Sequence, residues 1–423
     1  MLKHYPNLGE RVFESRLTNG LLVRVVIKPG FTKAHAFLAV DYGSMDTSFS
    51  VNGRNFRSPN GIAHYLEHKM FDMPDGNVMQ LFSKYGGNPN AFTSYDITAY
   101  YVECTDHFKE NLELLLRYVA TPYFTEESVE KERGIIAQEI KMYEDNPDSC
   151  VFENLFSAMY ESHPIRNSIA GTVESISHIT AQTLYECYEG FYKPENMMLC
   201  VVGDVDPDLV FSLAEQIVPK SDSVVLLKRD YGEDEQMTPV QREKTCAMEV
   251  AMPMFCVGFK TEPAMFGPDS MVQEIIGELA AEILVGESSA LYTHLYEKNL
   301  IDSGFSCGYE GLKGMGLLTA SGDSVDPAAV KGAIIEEAVR IGTEGFDEAL
   351  FMRLKRSSLG RRMRELDSFD SICYRMCAYH FEGVDYFDFP EIFRKVTSED
   401  VARFLRRTVT EERCAISVVT PKE

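Results

Sequence analysis

Two imidazoles and a carboxylate fall within five residues, His64-Tyr-Leu-Glu67-His68, inside the apolar, helix-compatible run Gly61 to Phe71. In a helix of about 3.6 residues per turn, His64 and His68 project from one face. Both rings can then reach a single zinc ion at about 2.0 to 2.1 Å. Glu67 stands beside them, free to act as a base. Two surface histidines beside a solvated glutamate would give the same letters, so a third ligand has to decide. A catalytic zinc usually takes three protein ligands and leaves one position open. The carboxylate is sought in the segment Phe124 to Pro147, where Glu132 and Glu139 are seven apart and share a face. Val129, Ile135, Ile136, Ile140 and Met142 give this segment helical periodicity, and Thr125 followed by Ser128 and Glu130 marks its start.

The order His-x-x-Glu-His reverses the commoner His-Glu-x-x-His and is the mark of the inverzincins. With the downstream Glu132-(x)6-Glu139 helix, and with Asn90-Ala91-Phe92-Thr93 between the two motifs, the chain resembles the insulinase or pitrilysin-type zinc peptidases. That family includes the mitochondrial processing peptidases. The resemblance covers essentially the whole chain and is nearest to the short bacterial branch. It implies that His64, His68 and Glu139 hold one Zn2+ per chain, that Glu67 is the general base, and that Glu132 orients a ligand histidine. It also implies that an extended peptide adds along Asn90, Ala91, Phe92 and Thr93, with Asn90 near the scissile amide. Read alone, that stretch is an ordinary strand with Phe92 in the core.

One departure stands out. Active members of the family carry an arginine and a tyrosine, seven residues apart, that hold the substrate and the developing oxyanion. Here Leu295-Tyr296-Glu297 leads to Ser303, so Tyr296 stands at the arginine position and Ser303 at the tyrosine position. In heterodimeric relatives one chain brings zinc and the other the Arg and Tyr. The resemblance therefore implies a homologous second chain, a heterodimer in preference to a homodimer, acting on a peptide or protein substrate. Tyr296 or Tyr309 serving as the donor in a self-paired chain is the competing expectation. A scaffold or assembly protein that keeps the fold without cleaving is the alternative from another class.

Composition sets the bounds. The chain has 423 residues, 45% hydrophobic and 25% charged, as expected for a globular protein of more than one domain. A net charge of −24 argues against a nucleic-acid or anionic-membrane partner, which would need clustered lysine and arginine. An acidic chamber lining would favour basic substrates, whereas a negatively charged exterior accounts for the same number. The ten cysteines sit in apolar surroundings, as Cys200 and Cys256 do, with no Cys-x-x-Cys pair, the usage of buried thiols in a reducing compartment. Cys373 and Cys377 read as core packing. The N-terminal stretch lacks the apolar run of a signal peptide, and no run of about 18 apolar residues could span a membrane. A cytoplasmic location is expected.

The chain also repeats itself. Ile179-Thr180 to Leu184, followed by Leu199 to Val202, recurs 217 residues later as Val396-Thr397 to Val401, followed by Ile416 to Val419. Phe124-Thr-Glu-Glu answers to Phe346-Asp-Glu-Ala, and Asp145 to Asp367. The expected fold is α/β (α+β): two duplicated domains, each a mainly antiparallel sheet packed with helices. The boundaries are read as a zinc-binding domain 1–218, a linker 219–242 and a duplicate 243–423. In the duplicate, Gly277, Ala280 and Ala281 stand for His64, Glu67 and His68, and Arg361 stands for Glu139. The second half therefore has no ligands, which favours a functional role for those residues in the first.

Overall fold

The computed structural model describes residues 1–74, 76–221 and 226–422; residues 222–225 of the expected linker lie outside the described residues. The strands of the first half are β1 (Leu2–Tyr5), β2 (Glu10–Arg16), β3 (Leu22–Ile27), β4 (Ala34–Val40), β5 (Ser48–Val51), β6 (Arg54–Arg57), β7 (Asp72–Met73), β8 (Gly76–Asn77), β9 (Asn88–Thr93), β10 (Thr98–Cys104) and β11 (Met197–Gly203). They are followed by β12 (Leu227–Arg229), β13 (Glu243–Met248), β14 (Met254–Lys260), β15 (Ser306–Leu312), β16 (Met315–Asp323) and β17 (Cys414–Pro421). The first-half helices are α1 (Ile62–Met70), α2 (Met79–Lys84), α3 (Phe108–Ala120), α4 (Glu126–Glu144), α5 (Pro147–Met159), α6 (Val173–Ser177), α7 (Ala181–Phe191) and α8 (Pro207–Ile217). The later ones are α9 (Pro268–Val285), α10 (Ala290–Glu297), α11 (Pro327–Glu344), α12 (Glu348–Glu365), α13 (Phe369–Phe381), α14 (Phe389–Lys395) and α15 (Ser398–Thr408).

The duplication is visible in the strand order. The first sheet runs β1-β2-β3-β11-β4-β10-β9 and the second β13-β17-β14-β16-β15. Without β1 and β2 the two orders match place for place. In each sheet the one parallel pair also corresponds, β11 with β3 and β17 with β13. The repeated Thr-containing turns are helix starts: Thr180 and Thr397 each cap a helix with a reciprocal capping box. The segment Leu227–Arg229, within the stretch read as linker, pairs with β5 of the first half.

The strands β4 and β11 are buried throughout and, apart from His35 in β4, apolar, so the first sheet must be covered on both faces. Ala36, Leu38, Leu199 and Val201 point into the first half's own helical core. The alternate residues Phe37, Ala39, Met198 and Cys200 point into a core built largely by the second half. Its innermost helix there is α13, with Cys373, Met376 and Cys377 fully buried against β11. The exchange is reciprocal. Helix α5 leaves the first half and packs Val151, Leu155 and Met159 against Cys256, Leu317, Ala415 and Val419 of the second sheet. Gly258 permits this approach, since a Cβ there would lie 2.9 Å from Met159 Cε. The two exchanged helices are equivalents: the cap of α5 is Asn146, and 222 residues later Ser368 caps α13.

Each half thus completes the other's core, and the two should unfold as one unit. Met376→Ala, which empties a buried site at the junction, is expected to cost about 2 to 5 kcal/mol. Hydrogen exchange should then quicken in β11, although the substitution is in the other half. Unaltered exchange across residues 197–203 in a destabilised variant would show that the halves are independent.

Candidate metal centre

Helix α1 begins at Gly61, whose φ of 89° and close approach to Ala170 O (2.4 Å from an added Cβ) leave no room for a side chain. From there the helix buries Ile62, Ala63, Tyr65, Leu66 and Met70. This fixes the rotation of the helix and turns His64, Glu67 and His68 towards α4 and β9. Two contacts pin α1 across α4. Tyr65 Oη donates to Val129 O, and Lys69, 1% exposed, reaches Ser128 O at 3.2 Å and pairs with Asp72. Helix α4 starts at Thr125 with a capping box to Ser128, as expected, but Ile135 and Met142 are 51% and 70% exposed. The apolar stripe of α4 is narrower than its periodicity suggests, because its flank borders open space at the site rather than core.

The crossing brings His64, His68 and Glu139 together, with one ligand atom from each lying within 4.8 Å of the others. Glu139 divides its oxygens: Oε1 is 3.5 Å from His64 Nε2, and Oε2 is 3.4 Å from His68 Nε2. A tetrahedral ion with arms of about 2.1 Å needs ligand-to-ligand edges of about 3.4 Å. The donor set and its spacing therefore fit zinc. His68 Nδ1 lies 3.1 Å from Glu132 Oε1. An ionised carboxylate can only accept, so Nδ1 carries the proton and Nε2 keeps its lone pair for the site. Among the described residues, the Nδ1 of His64 is buried without a hydrogen-bond partner.

Glu67 is 8% exposed and accepts a hydrogen bond from Thr93 Oγ1 at 3.0 Å. Burial pushes its pKa up, and the neighbouring His64 and His68 and the Thr93 hydroxyl oppose this only in part. The result is a more basic carboxylate. Glu139 moves the other way, to about 2, held down chiefly by the His64 imidazole beside it against some desolvation. For His68, burial lowers the pKa, but the bond to Glu132 and the charges of Glu67 and Glu139 outweigh it and raise the value.

Strand β9 is the last in its sheet, so its outer edge is free for pairing. Asn90 Oδ1 accepts from Ala91 N at 2.9 Å, and Phe92 is half-buried against the second core. A cavity of about 520 Å³ runs along this edge past His64, Glu67, His68 and Glu139. Its far wall is Tyr143 of α4 with Ser149, Phe152 and Glu153 of the exchanged helix α5. A second hollow of about 740 Å³ shares Glu67, His68 and Asn90 and continues over Met73, Met79 and Ile135. All nine residues singled out in the sequence meet around these two spaces. Neither is lined by Tyr296, Ser303 or Tyr309: Tyr296 is 51% exposed on α10, and Tyr309 is buried under α9. Sequence reasoning passed over Tyr143, Phe152 and Glu153. The signal for Tyr143 was present, one turn beyond Glu139 on the same face.

Comparison with known proteins gives the family. Residues 28–173 match the model for insulinase (peptidase family M16), and residues 178–358 match that for the peptidase M16 inactive domain. The chain is 39% identical to the uncharacterized zinc protease YmfH of Bacillus subtilis (strain 168), over 99% of this chain and 98% of that one. A crystal structure of an M16-like peptidase from Alicyclobacillus acidocaldarius superposes with a TM-score of 0.94 at 32% identity, covering 98% of this chain and 99% of the other. A Helicobacter pylori protease shares the fold at 19% identity, with a TM-score of 0.81 and 97% and 100% of the two chains covered.

Glu132 should govern the proton on His68. In metal-free protein, protonated His68 stabilises the fold below its unfolded pKa, and this contribution is lost as pH rises through the raised folded value. Glu132→Gln is expected to lower the His68 pKa, read by NMR titration of the imidazole. An unmoved titration would mean that the contact carries no charge interaction.

Proposed function

As the chain belongs to the insulinase family of peptidases, M16, we propose that it is a zinc-dependent endopeptidase subunit that hydrolyses peptides in an enclosed chamber. The observation that carries this reading is the division of the Glu139 carboxylate between the two histidines, with Glu67 alongside. His64, His68 and Glu139 would hold one Zn2+, and residues 1–218 form the domain that carries it. Zinc, when bound, supplies Lewis acidity, lowering the pKa of water and polarising a carbonyl. Glu67 takes the proton from the attacking water: Thr93 holds its Oε2, which leaves Oε1 for the transfer. The same carboxyl then returns the proton to the departing amine. The free edge of β9 aligns an extended peptide, with Asn90, Ala91, Phe92 and Thr93 beside the scissile bond.

The remaining requirement is an oxyanion donor, and a homologous second chain bearing the Arg and Tyr would supply it. Tyr296 and Ser303 stand where the Arg and Tyr would be, which favours a heterodimer over self-pairing. The same shortfall also favours the second reading, a scaffold or assembly protein with a retained peptidase fold. The buried, basic Glu67 speaks for catalysis. No helix among the described residues is long and apolar enough to cross a membrane. The free and mostly buried cysteines support a reducing, cytoplasmic compartment.

Glu67→Gln keeps the shape of the side chain but cannot accept the proton. Zinc should remain at about one per chain by elemental analysis, while turnover falls by roughly two to four orders of magnitude. Undiminished turnover in the purified variant would assign the base elsewhere. The isolated wild-type chain should cleave peptides weakly, slower by about a hundredfold or more than when mixed with a homologue carrying the Arg and Tyr. Turnover of about 1 to 1000 per second from the rigorously purified single chain would sink the partner requirement.

A further inference from the structure

Tyr143 stands one helical turn beyond Glu139 on α4, and its Oη donates to Glu139 Oε1 at 2.9 Å. That oxygen is the one facing His64, while Oε2 faces His68. Among the described residues, no other hydrogen bond to the Glu139 carboxylate meets the same geometry. Glu132 performs the corresponding service for His68, so each of these two candidate ligands has one protein partner that orients it.

Two further observations separate Tyr143 from an ordinary surface tyrosine. It is 42% exposed and faces the 520 Å³ cavity, so its ring is not needed to fill a core. In the duplicate, moreover, it changes together with its partner. The helix equivalent to α4 is α12, where Arg361 stands for Glu139 and Glu365 stands for Tyr143. There Arg361 pairs with Glu282 at 2.9 Å and Glu365 with Arg375 at 2.6 Å. The half that lost the carboxylate also lost the phenol.

We infer that Tyr143 is a positioning residue that fixes the Glu139 carboxylate so that its oxygens divide between His64 and His68, and thereby sets how tightly the triad binds its metal. A glutamate has three rotatable side-chain bonds, and on a half-exposed helix face it samples many rotamers. The tyrosine hydroxyl, held by a side chain of the same helix, selects the rotamer that the site requires before any metal arrives. This inference rests on the zinc reading above and adds a residue to it.

The test is zinc affinity by competition with a chromophoric chelator, comparing wild type with Tyr143→Phe in the full chain. Loss of the hydroxyl should weaken zinc binding by about 10- to 100-fold, the usual effect of removing a group that orients a ligand. The melting temperature of the metal-free protein should stay unchanged. The visible absorption bands of the cobalt-substituted variant should also shift, since the carboxylate is free to bind differently. That spectrum, taken at saturating cobalt, keeps the test decisive even if the variant is less stable. Zinc affinity within twofold of wild type together with an unchanged cobalt spectrum overturns the role of Tyr143. A wild-type chain that takes up no zinc overturns the metal reading instead, so the two failures are distinguishable.

Discussion

The crossing of α1 over α4 is the constraint on which the site depends. Tyr65 and Lys69 bind the backbone of α4 at Val129 and Ser128, next to the start of that helix, where the capping box sets its register. Once that end is fixed, helical periodicity carries Glu132 to His68 and, two turns on, Glu139 into the space between both rings. Burying Lys69 at 1% exposure is costly unless its charge is matched. Asp72 and the Ser128 carbonyl match it, so this ion pair belongs to the architecture of the site rather than to the surface. A slip of one residue at this crossing would put Glu139 out of reach of the histidines.

The second dependence is the exchange of α5 and α13. Because α5 lies on the second sheet, its first turns present Ser149, Phe152 and Glu153 to a cavity whose other wall belongs to the first sheet. The cavity is therefore a joint product of the two halves, although all the candidate ligands come from one. Ion pairs reinforce the junction: Lys313 of the second half reaches Asp41, and Arg229 links Asp41 and Asp46 at 2.8 and 3.1 Å. Asp46 is fully enclosed, so these partners are what make its burial tolerable.

Much of this was legible in the sequence. The helix repeat places His64 with His68 and Glu132 with Glu139 on common faces, and the repeated Thr caps and strands reveal the duplication before any coordinates. The capping box at Thr125 is a local signal and was readable as such. What periodicity cannot convey is which surface a helix covers. Cys373 and Cys377 read correctly as core, yet their core proves to be the other half's sheet. Ile135 and Met142 contribute to the helical periodicity and yet are exposed, because an apolar spacing does not reveal whether the facing side is filled or open. Thr93 was read as part of a substrate edge, and the structure adds a bond to Glu67 that no strand pattern announces.

The duplicate shows what the same crossing becomes without ligands. At the site of His64, Gly277 lies under the ring of Tyr309, which passes within 2.3 Å of where a Cβ would be. At the site of Glu139, Arg361 turns to Glu282, one residue beyond Ala281. Arg362 beside it, 3% exposed, is shared by Glu274 and Glu278. The second crossing is thus closed by a ring and held by ion pairs between these arginines and glutamates. The first crossing carries the opposite design: four carboxylates and imidazoles converge on an accessible cavity, with the hydroxyls of Thr93 and Tyr143 and the carboxylate of Glu132 to orient them. A fold that needed such a cluster for stability would have kept it in both copies. The chain keeps the crossing twice and the cluster once, so the crossing does not depend on the cluster.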